Sequence, residues 1–309
     1  MRIYTLTLSP AFDIHCMADT IRIGCENLAV KTDRCAGGKG INISRALSSL
    51  GYSSTAIIAL GEESADEFLS MIEDEHINIR KIIHSGEIRE NITIHTSNGG
   101  ETRISFRSES VGTDIISRLE VELTDLAPCD VLTVTGRVPD GVDFSELMKI
   151  LTELRERGVR LVIDSRSFTL EDILALRPFL IKPNEEELST YLDAEDGDIE
   201  QICTAAASLT ARGVENVLVT LGARGAILAS ADSLLRATVP TLTPISTIGA
   251  GDSTIGGFLV ATLRECGLED CLRYATAFGT AACLTRGTDA PSRENIEKIR
   301  EQISIKVMR

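Results

Sequence analysis

Ser246-Thr247-Ile248-Gly249-Ala250-Gly251-Asp252-Ser253 sets a run of small residues directly ahead of a carboxylate, and Ile255, Phe258, Leu259, Thr262 and Leu263 follow at helical spacing. A glycine turn entering a helix gathers free backbone N–H groups and the positive end of the helix dipole at one point. That arrangement suits negative charge developing on a phosphoryl group in transit. A carboxylate beside such an anion hole fits a general base that takes the proton of an attacking hydroxyl as the P–O bond forms. On this segment alone, Asp252 serves equally well as an ordinary cap after a glycine turn. A second glycine-rich turn, Ala36-Gly37-Gly38-Lys39-Gly40-Ile41-Asn42, also enters a helix and carries a lysine. It fits neither the Walker spacing nor GxGxxG. It suits one anion or a polyol, and reads as well as a plain capping turn with a solvated lysine.

Such turns need a scaffold. Short β-branched runs recur at Val131–Thr135, Leu161–Ile163, Phe179–Ile181 and Val217–Thr220, each followed by a polar or glycine turn and then a stretch of helical spacing. This alternation predicts an α/β fold with a mostly parallel sheet flanked by helices. Phe144, Leu147, Met148, Leu151 and Leu154, and likewise Ile43, Ala46, Leu47 and Leu50, mark helix faces turned to the core. In such sheets ligands bind beyond the carboxyl ends of the strands. The residues there are Gly136-Arg137, Asp164-Ser165-Arg166, Lys182-Pro183-Asn184 and Gly222-Ala223-Arg224-Gly225, a lining for a polar ligand. Residues of about 12–35 and 88–107 break the rhythm. Their alternating runs predict antiparallel strands without helices between them, a small β-sheet lid on a single domain spanning 1–309.

With Lys+Arg 31 against Asp+Glu 46 and a net charge of −15, the chain is poorly suited to nucleic acid or an anionic membrane surface. No apolar run approaches the ~20 residues that cross a bilayer, and the start lacks the long apolar stretch of a signal peptide, so a cytoplasmic protein is expected. The eight cysteines show no CxxC pair and the four histidines are scattered, which predicts packing thiols and no zinc site.

Thr5-Leu6-Thr7-Leu8-Ser9-Pro10-Ala11-Phe12-Asp13, the Ala36–Asn42 turn, Arg89-Glu90-Asn91-Ile92-Thr93, Lys182-Pro183-Asn184-Glu185-Glu186-Glu187-Leu188 and the Ser246–Ser253 turn resemble, in order, the signature segments of PfkB-type, ribokinase-like sugar kinases. The likeness is greatest to the branch of 1-phosphofructokinases and tagatose-6-phosphate kinases, and runs from about residue 3 to Gly287-Thr288-Asp289. It implies Asp252 as the catalytic base and the amides of Gly249, Ala250 and Gly251 as the anion hole. Asp13, Gly38 and Asn42 would bind the sugar, and Lys39, Arg89 and Arg103 its phosphate. Asn184 and Glu187 would order magnesium, with Glu187 acting through water, while Lys182, Thr220, Gly222 and Gly225 would line the ATP side. Three positions depart from the branch pattern: Ser9, Ile88 and Arg137. Arg137 stands where a Gly-Ser pair is usual, and either adds a phosphate contact or fills space belonging to the usual substrate. The resemblance implies ATP and Mg2+ as cofactors and a homodimer formed through the lid. It also implies transfer to fructose 1-phosphate at the 6-hydroxyl, with tagatose 6-phosphate at the 1-hydroxyl as the alternative. A sensor of sugar phosphate or nucleotide that has lost turnover is the rival from outside enzymology.

Overall fold

In a computed structural model of the protein, which describes residues 1–107, 111–112, 114–192 and 198–308, the apolar runs assemble into a ten-stranded sheet. Seven strands are parallel: β1 (Ile3–Thr7), β4 (Thr55–Gly61), β5 (Asn78–His84), β8 (Val131–Thr135), β9 (Arg160–Asp164), β10 (Leu180–Ile181) and β11 (Asn216–Thr220). The antiparallel strands β12 (Ala226–Ser230), β13 (Leu234–Thr238) and β14 (Ser304–Val307) extend one edge, giving the order β14-β13-β12-β11-β10-β9-β8-β1-β4-β5. Every residue of β1 and β8 is buried, as strands covered by helices on both faces must be. The expected α/β fold with a mostly parallel sheet is therefore present, and the chain's contribution to it begins at Ile3.

The helix Phe144–Glu156 shows how local sequence sets an element. Asp143 accepts hydrogen bonds from the amides of Ser145 and Glu146 at its start, and Leu147, Leu151 and Leu154 turn inward. The late helix, Ala250–Leu263, differs: its residues from Asp252 to Ala261 are all buried. It is wedged between the early helix, Lys39–Ser48, and the helix Leu268–Ala282. A Cβ on Gly256 would lie 2.7 Å from Ala46 Cβ, and one on Gly257 2.4 Å from the Tyr274 carbonyl oxygen. The chemistry-bearing turn is thus mounted on a helix that is enclosed on every side from Asp252 to Ala261.

The two irregular segments form a separate four-stranded sheet in the order β3-β2-β6-β7, from β2 (Ala11–Ala18), β3 (Val30–Gly37), β6 (Glu90–Thr96) and β7 (Glu101–Ser105). Its two hairpins are antiparallel as expected, but the central pair β2 and β6 runs parallel, a correction to the reading of these stretches as antiparallel throughout. Both strands leave the main sheet in the same direction, and pairing brings His15 and His95, distant in sequence, into a ring stack 5.6 Å apart. Among the described residues, no helix is long and apolar enough to cross a membrane, and no group of three or more His, Cys, Asp or Glu side chains is placed to hold a metal.

Candidate active site

A cleft of about 890 Å3 opens between the small sheet and the carboxyl ends of β1, β8, β9 and β10. On its floor is Asp252, buried in the first turn of the late helix. Gly249 enters that helix at φ 77°, a left-handed conformation that glycine adopts without strain. Gly249 occupies the N-cap position and Asp252 is the third residue of the helix, so Asp252 is not its cap. Instead its Oδ2 accepts from Asn42 Nδ2 at 2.8 Å.

Burial pushes the Asp252 carboxyl up to about 6, with Asp164 adding to the effect and Lys39, Asn42 and Lys182 opposing it. Asp164, at the end of β9, is itself buried and joins the two lysines: Lys39 Nζ lies 2.9 Å from one oxygen and Lys182 Nζ 3.5 Å from the other. Burial alone would raise the Asp164 carboxyl, but Lys182 and Lys39 outweigh it and hold it below the ordinary value. Conversely, burial disfavours the Lys39 ammonium, while Asp164 and Asp252 together keep it charged well above the ordinary lysine range. Lys182 also reaches the anion hole, since a Cβ on Gly251 would sit 3.2 Å from its Nζ. Two cations therefore stand beside the helix start where an incoming phosphate would have to lie.

The outer wall belongs to the small sheet. Asp13 Oδ1 accepts from both Asn91 Nδ2 and Arg103 Nη2 at 2.8 Å. Arg89 Nε donates to Ser9 Oγ at 2.9 Å, and its Nη1 to Asn91 Oδ1 at 2.7 Å. Burial, with Arg103 and Arg137 nearby, draws Arg89 below the ordinary arginine value despite Asp13. Arg137 lines the same cleft, beyond the end of β8. Ser9, one of the three departures from the branch pattern, thus orients Arg89 together with Asn91.

Not every expected residue gathers here. Gly38, which caps the early helix, and Glu187 line the cleft, whereas Ala250, Asn184, Thr220, Gly222 and Gly225 do not. Asn184 and Glu187 satisfy each other across the start of the helix Glu185–Leu192: Glu187 N donates to Asn184 Oδ1 at 2.7 Å, and Asn184 N to Glu187 Oε2 at 3.0 Å. The other Glu187 oxygen accepts from Arg166 Nε at 2.9 Å. Both carboxylate oxygens being engaged, Glu187 fits a metal reached through water better than one ligated directly. Gly222 has open space where a side chain would stand, as a ligand-facing glycine should. At Gly225 a Cβ would fall 2.0 Å from the Ala237 carbonyl oxygen, so close packing against β13 requires the glycine.

Two functional candidates went unassigned from sequence. Asp164 was visible as the carboxylate following a buried strand, but its link to both lysines joins residues 125 and 18 positions away in the chain. Asn91, within a recognised segment, turned out to be the bridge between Asp13 and Arg89.

Comparison with known proteins shows the family. Residues 11–295 match the family described as pfkB family carbohydrate kinase. The 1-phosphofructokinase of Borreliella burgdorferi is 34% identical over 283 residues, covering 91% of this chain and 92% of that protein. The ATP-dependent 6-phosphofructokinase isozyme 2 of Escherichia coli is 29% identical over 311 residues, covering 98% and 99%. A crystal structure of phosphofructokinase-2 from Escherichia coli in complex with substrates and products superposes with a TM-score of 0.91 at 28% identity, covering 98% of this chain and 99% of that one.

Proposed function

From the premise that the chain belongs to the pfkB family of carbohydrate kinases and is an ATP-dependent sugar-phosphate kinase, we propose that it transfers the γ-phosphoryl group of ATP to the 6-hydroxyl of fructose 1-phosphate. The observation that carries this reading is the floor of the cleft: a buried carboxylate in the first turn of a helix, with Lys39 and Lys182 held beside it by Asp164. Asp252 takes the proton of the sugar's primary hydroxyl as its oxygen attacks the γ-phosphorus in line, and ADP departs with the electrons of the broken P–O bond. The amides of Gly249 and Gly251 and the Lys182 ammonium receive the charge of the transferring group. Their donors are fixed before substrate arrives and need no reorganisation at the moment of reaction.

Asp13, accepting from Asn91 and Arg103 on one oxygen, keeps the other for sugar hydroxyls. Arg89, Arg103 and Arg137 outnumber the two carboxylates of that wall, Asp13 and Asp140, and the excess positive charge suits the phosphate that the sugar already carries. Magnesium bound with the nucleotide would neutralise the β- and γ-phosphates, and Glu187 is the residue placed to order its water. The small sheet, residues of about 12–35 and 88–107, acts as the lid. Met17, Ile23, Leu28, Val30, Ile104 and Phe106 on it are exposed, which supports a homodimer formed by burying those faces together.

A second reading, fructose 6-phosphate phosphorylated at the 1-hydroxyl, is favoured by the similarity to the Escherichia coli 6-phosphofructokinase isozyme over nearly the whole chain. Tagatose 6-phosphate presents the same groups, and belongs in the same comparison. Incubation with labelled ATP, magnesium and a panel of hexose 1-phosphates and 6-phosphates should give labelled bisphosphate most rapidly from fructose 1-phosphate. Preference for a 6-phosphate would reassign the substrate, and binding without product would replace the kinase by a sensor.

A further inference from the structure

The base does not stand alone behind the cleft. Arg45 lies three residues beyond Asn42 on the early helix, is 8% exposed, and does not line the cleft. Its Nε and Nη2 hold both oxygens of Glu75 at 2.7 and 2.8 Å, and its Nη1 donates to Asn42 Oδ1 at 3.2 Å. Asn42 then donates from Nδ2 to Asp252 Oδ2. Glu75 ends a short 3-10 turn, Glu73–Glu75, and Ser48, three residues further along the same helix face, donates to the Glu75 carbonyl at 3.0 Å. Three successive positions on one face of the early helix thus tie a surface carboxylate to the buried one.

An amide has an accepting end and a donating end, whereas a guanidinium only donates. With Arg45 on one side, the Asn42 oxygen must face it, so the amide N–H faces Asp252. If the amide turned over, its oxygen would oppose a carboxylate oxygen, tolerable only when Asp252 already carries a proton and cannot act as a base. We propose that Arg45, anchored by Glu75, is a positioning residue: it fixes the orientation of Asn42, which occupies Oδ2 of ionised Asp252 and leaves Oδ1 to receive the hydroxyl proton. This rests on the reading of Asp252 as the base. The other charged groups facing Asp252 are Lys39 from the early helix, Asp164 from the end of β9 and Lys182 from beyond β10, none of which contacts Arg45.

The test is the pH dependence of kcat/KM for the phosphosugar most active in the panel, measured for the parent, Arg45→Met, Arg45→Gln, Arg45→Lys and Asn42→Ala, with melting temperatures alongside. The substrate phosphate titrates near pH ~6 against every variant, so only displacements are read. Activity is present above the pKa of the base, and losing the Asn42 donor raises that pKa. The acid limb of Arg45→Met should therefore move up by roughly half to one pH unit, with kcat/KM on the acid side of both limbs falling about three- to tenfold and recovering by pH ~8.5. Arg45→Lys should restore the limb, and Arg45→Met combined with Asn42→Ala should move it no further than Asn42→Ala alone. If Arg45→Met does not fold, Arg45→Gln, whose amide can either donate or accept, should show an intermediate displacement. A lower melting temperature with an unmoved limb in Arg45→Met or Arg45→Gln would make Arg45 merely structural and overturn the proposal. Asp252→Asn separates the two readings: normal turnover removes the base itself, while an inactive Asp252→Asn with unmoved Arg45 limbs removes only the relay.

Discussion

On the floor of the cleft, Lys39 and Lys182 face Asp164 and Asp252, two charges of each sign, at close range and, except for the partly exposed Lys39, out of water. On the wall contributed by the small sheet and the turn after β8, Arg89, Arg103 and Arg137 share the cleft lining with two carboxylates, Asp13 and Asp140, and Arg137 is exposed. The two regions use similar side chains for opposite ends. Balanced and buried, the floor holds its groups in fixed geometry, as a site must if it is to stabilise charge that exists only during reaction. The wall is left with excess positive charge and partial access to solvent, which an anion present in the ground state neutralises. Substitutions on the floor should consequently affect stability and turnover, and those on the wall substrate affinity.

Removing the carboxylate that organises the floor attacks the contrast most severely. Asp164→Asn leaves Lys39 and Lys182 short of a counterion, and breaking a buried pair from one side costs about 3–5 kcal/mol, read as a fall in the denaturant midpoint. Unchanged stability would mean that the lysines do not depend on Asp164. Next comes the wall: Arg89→Ala should raise KM for the phosphosugar roughly 10–150-fold, the equivalent of the ~1.5–3 kcal/mol of a charged hydrogen bond, with little effect on KM for ATP. An equal fall in kcat would erase the distinction between the regions. Gly257→Ala probes the mounting of the floor, since its Cβ would meet the Tyr274 carbonyl 2.4 Å away. It should destabilise by about 1–3 kcal/mol in thermal unfolding. Arg137→Ala, at an exposed position, should raise the sugar-phosphate KM only about two- to fivefold, and improved binding would show that the side chain obstructs the site.

A further comparison follows from titration. Burial lifts Asp252 from its ordinary value of 3.8 to about 6, so the folded protein holds that proton more tightly than the unfolded chain does. The resulting stabilisation is complete below the unfolded value and is lost as pH rises through about 6. Asp252→Asn should accordingly gain in melting temperature over the parent from pH ~5 to pH ~8, the direction expected where a site retains an unfavourable buried charge for function.

Features written in consecutive residues were legible in the sequence. The Gly249–Asp252 turn, the helix that follows it and the polar residues capping the parallel strands depend on local spacing, and the structure assembles most of them around one cleft. What escaped depends on contacts between distant segments. The parallel pairing of β2 with β6 joins two hairpins between which the chain lays down two main-sheet strands, β4 and β5, and alternation within each strand carries no record of it. Asp164 as the hub of two lysines, and Arg45 behind Asn42, likewise exist only after the strands and helices have packed. At Gly225 the sequence likewise carried no record of the neighbouring strand, whose carbonyl at Ala237 leaves no room for a side chain.

Single-turnover phosphoryl transfer by Asp252→Asn, with ATP binding measured on the same preparation, bears most directly on the role of the floor. Transfer should slow by roughly 10²–10⁴-fold while ATP affinity stays within about twofold, as loss of a general base alone requires. Transfer at the parent rate would remove Asp252 from the chemistry and, with it, the account of the cleft given above.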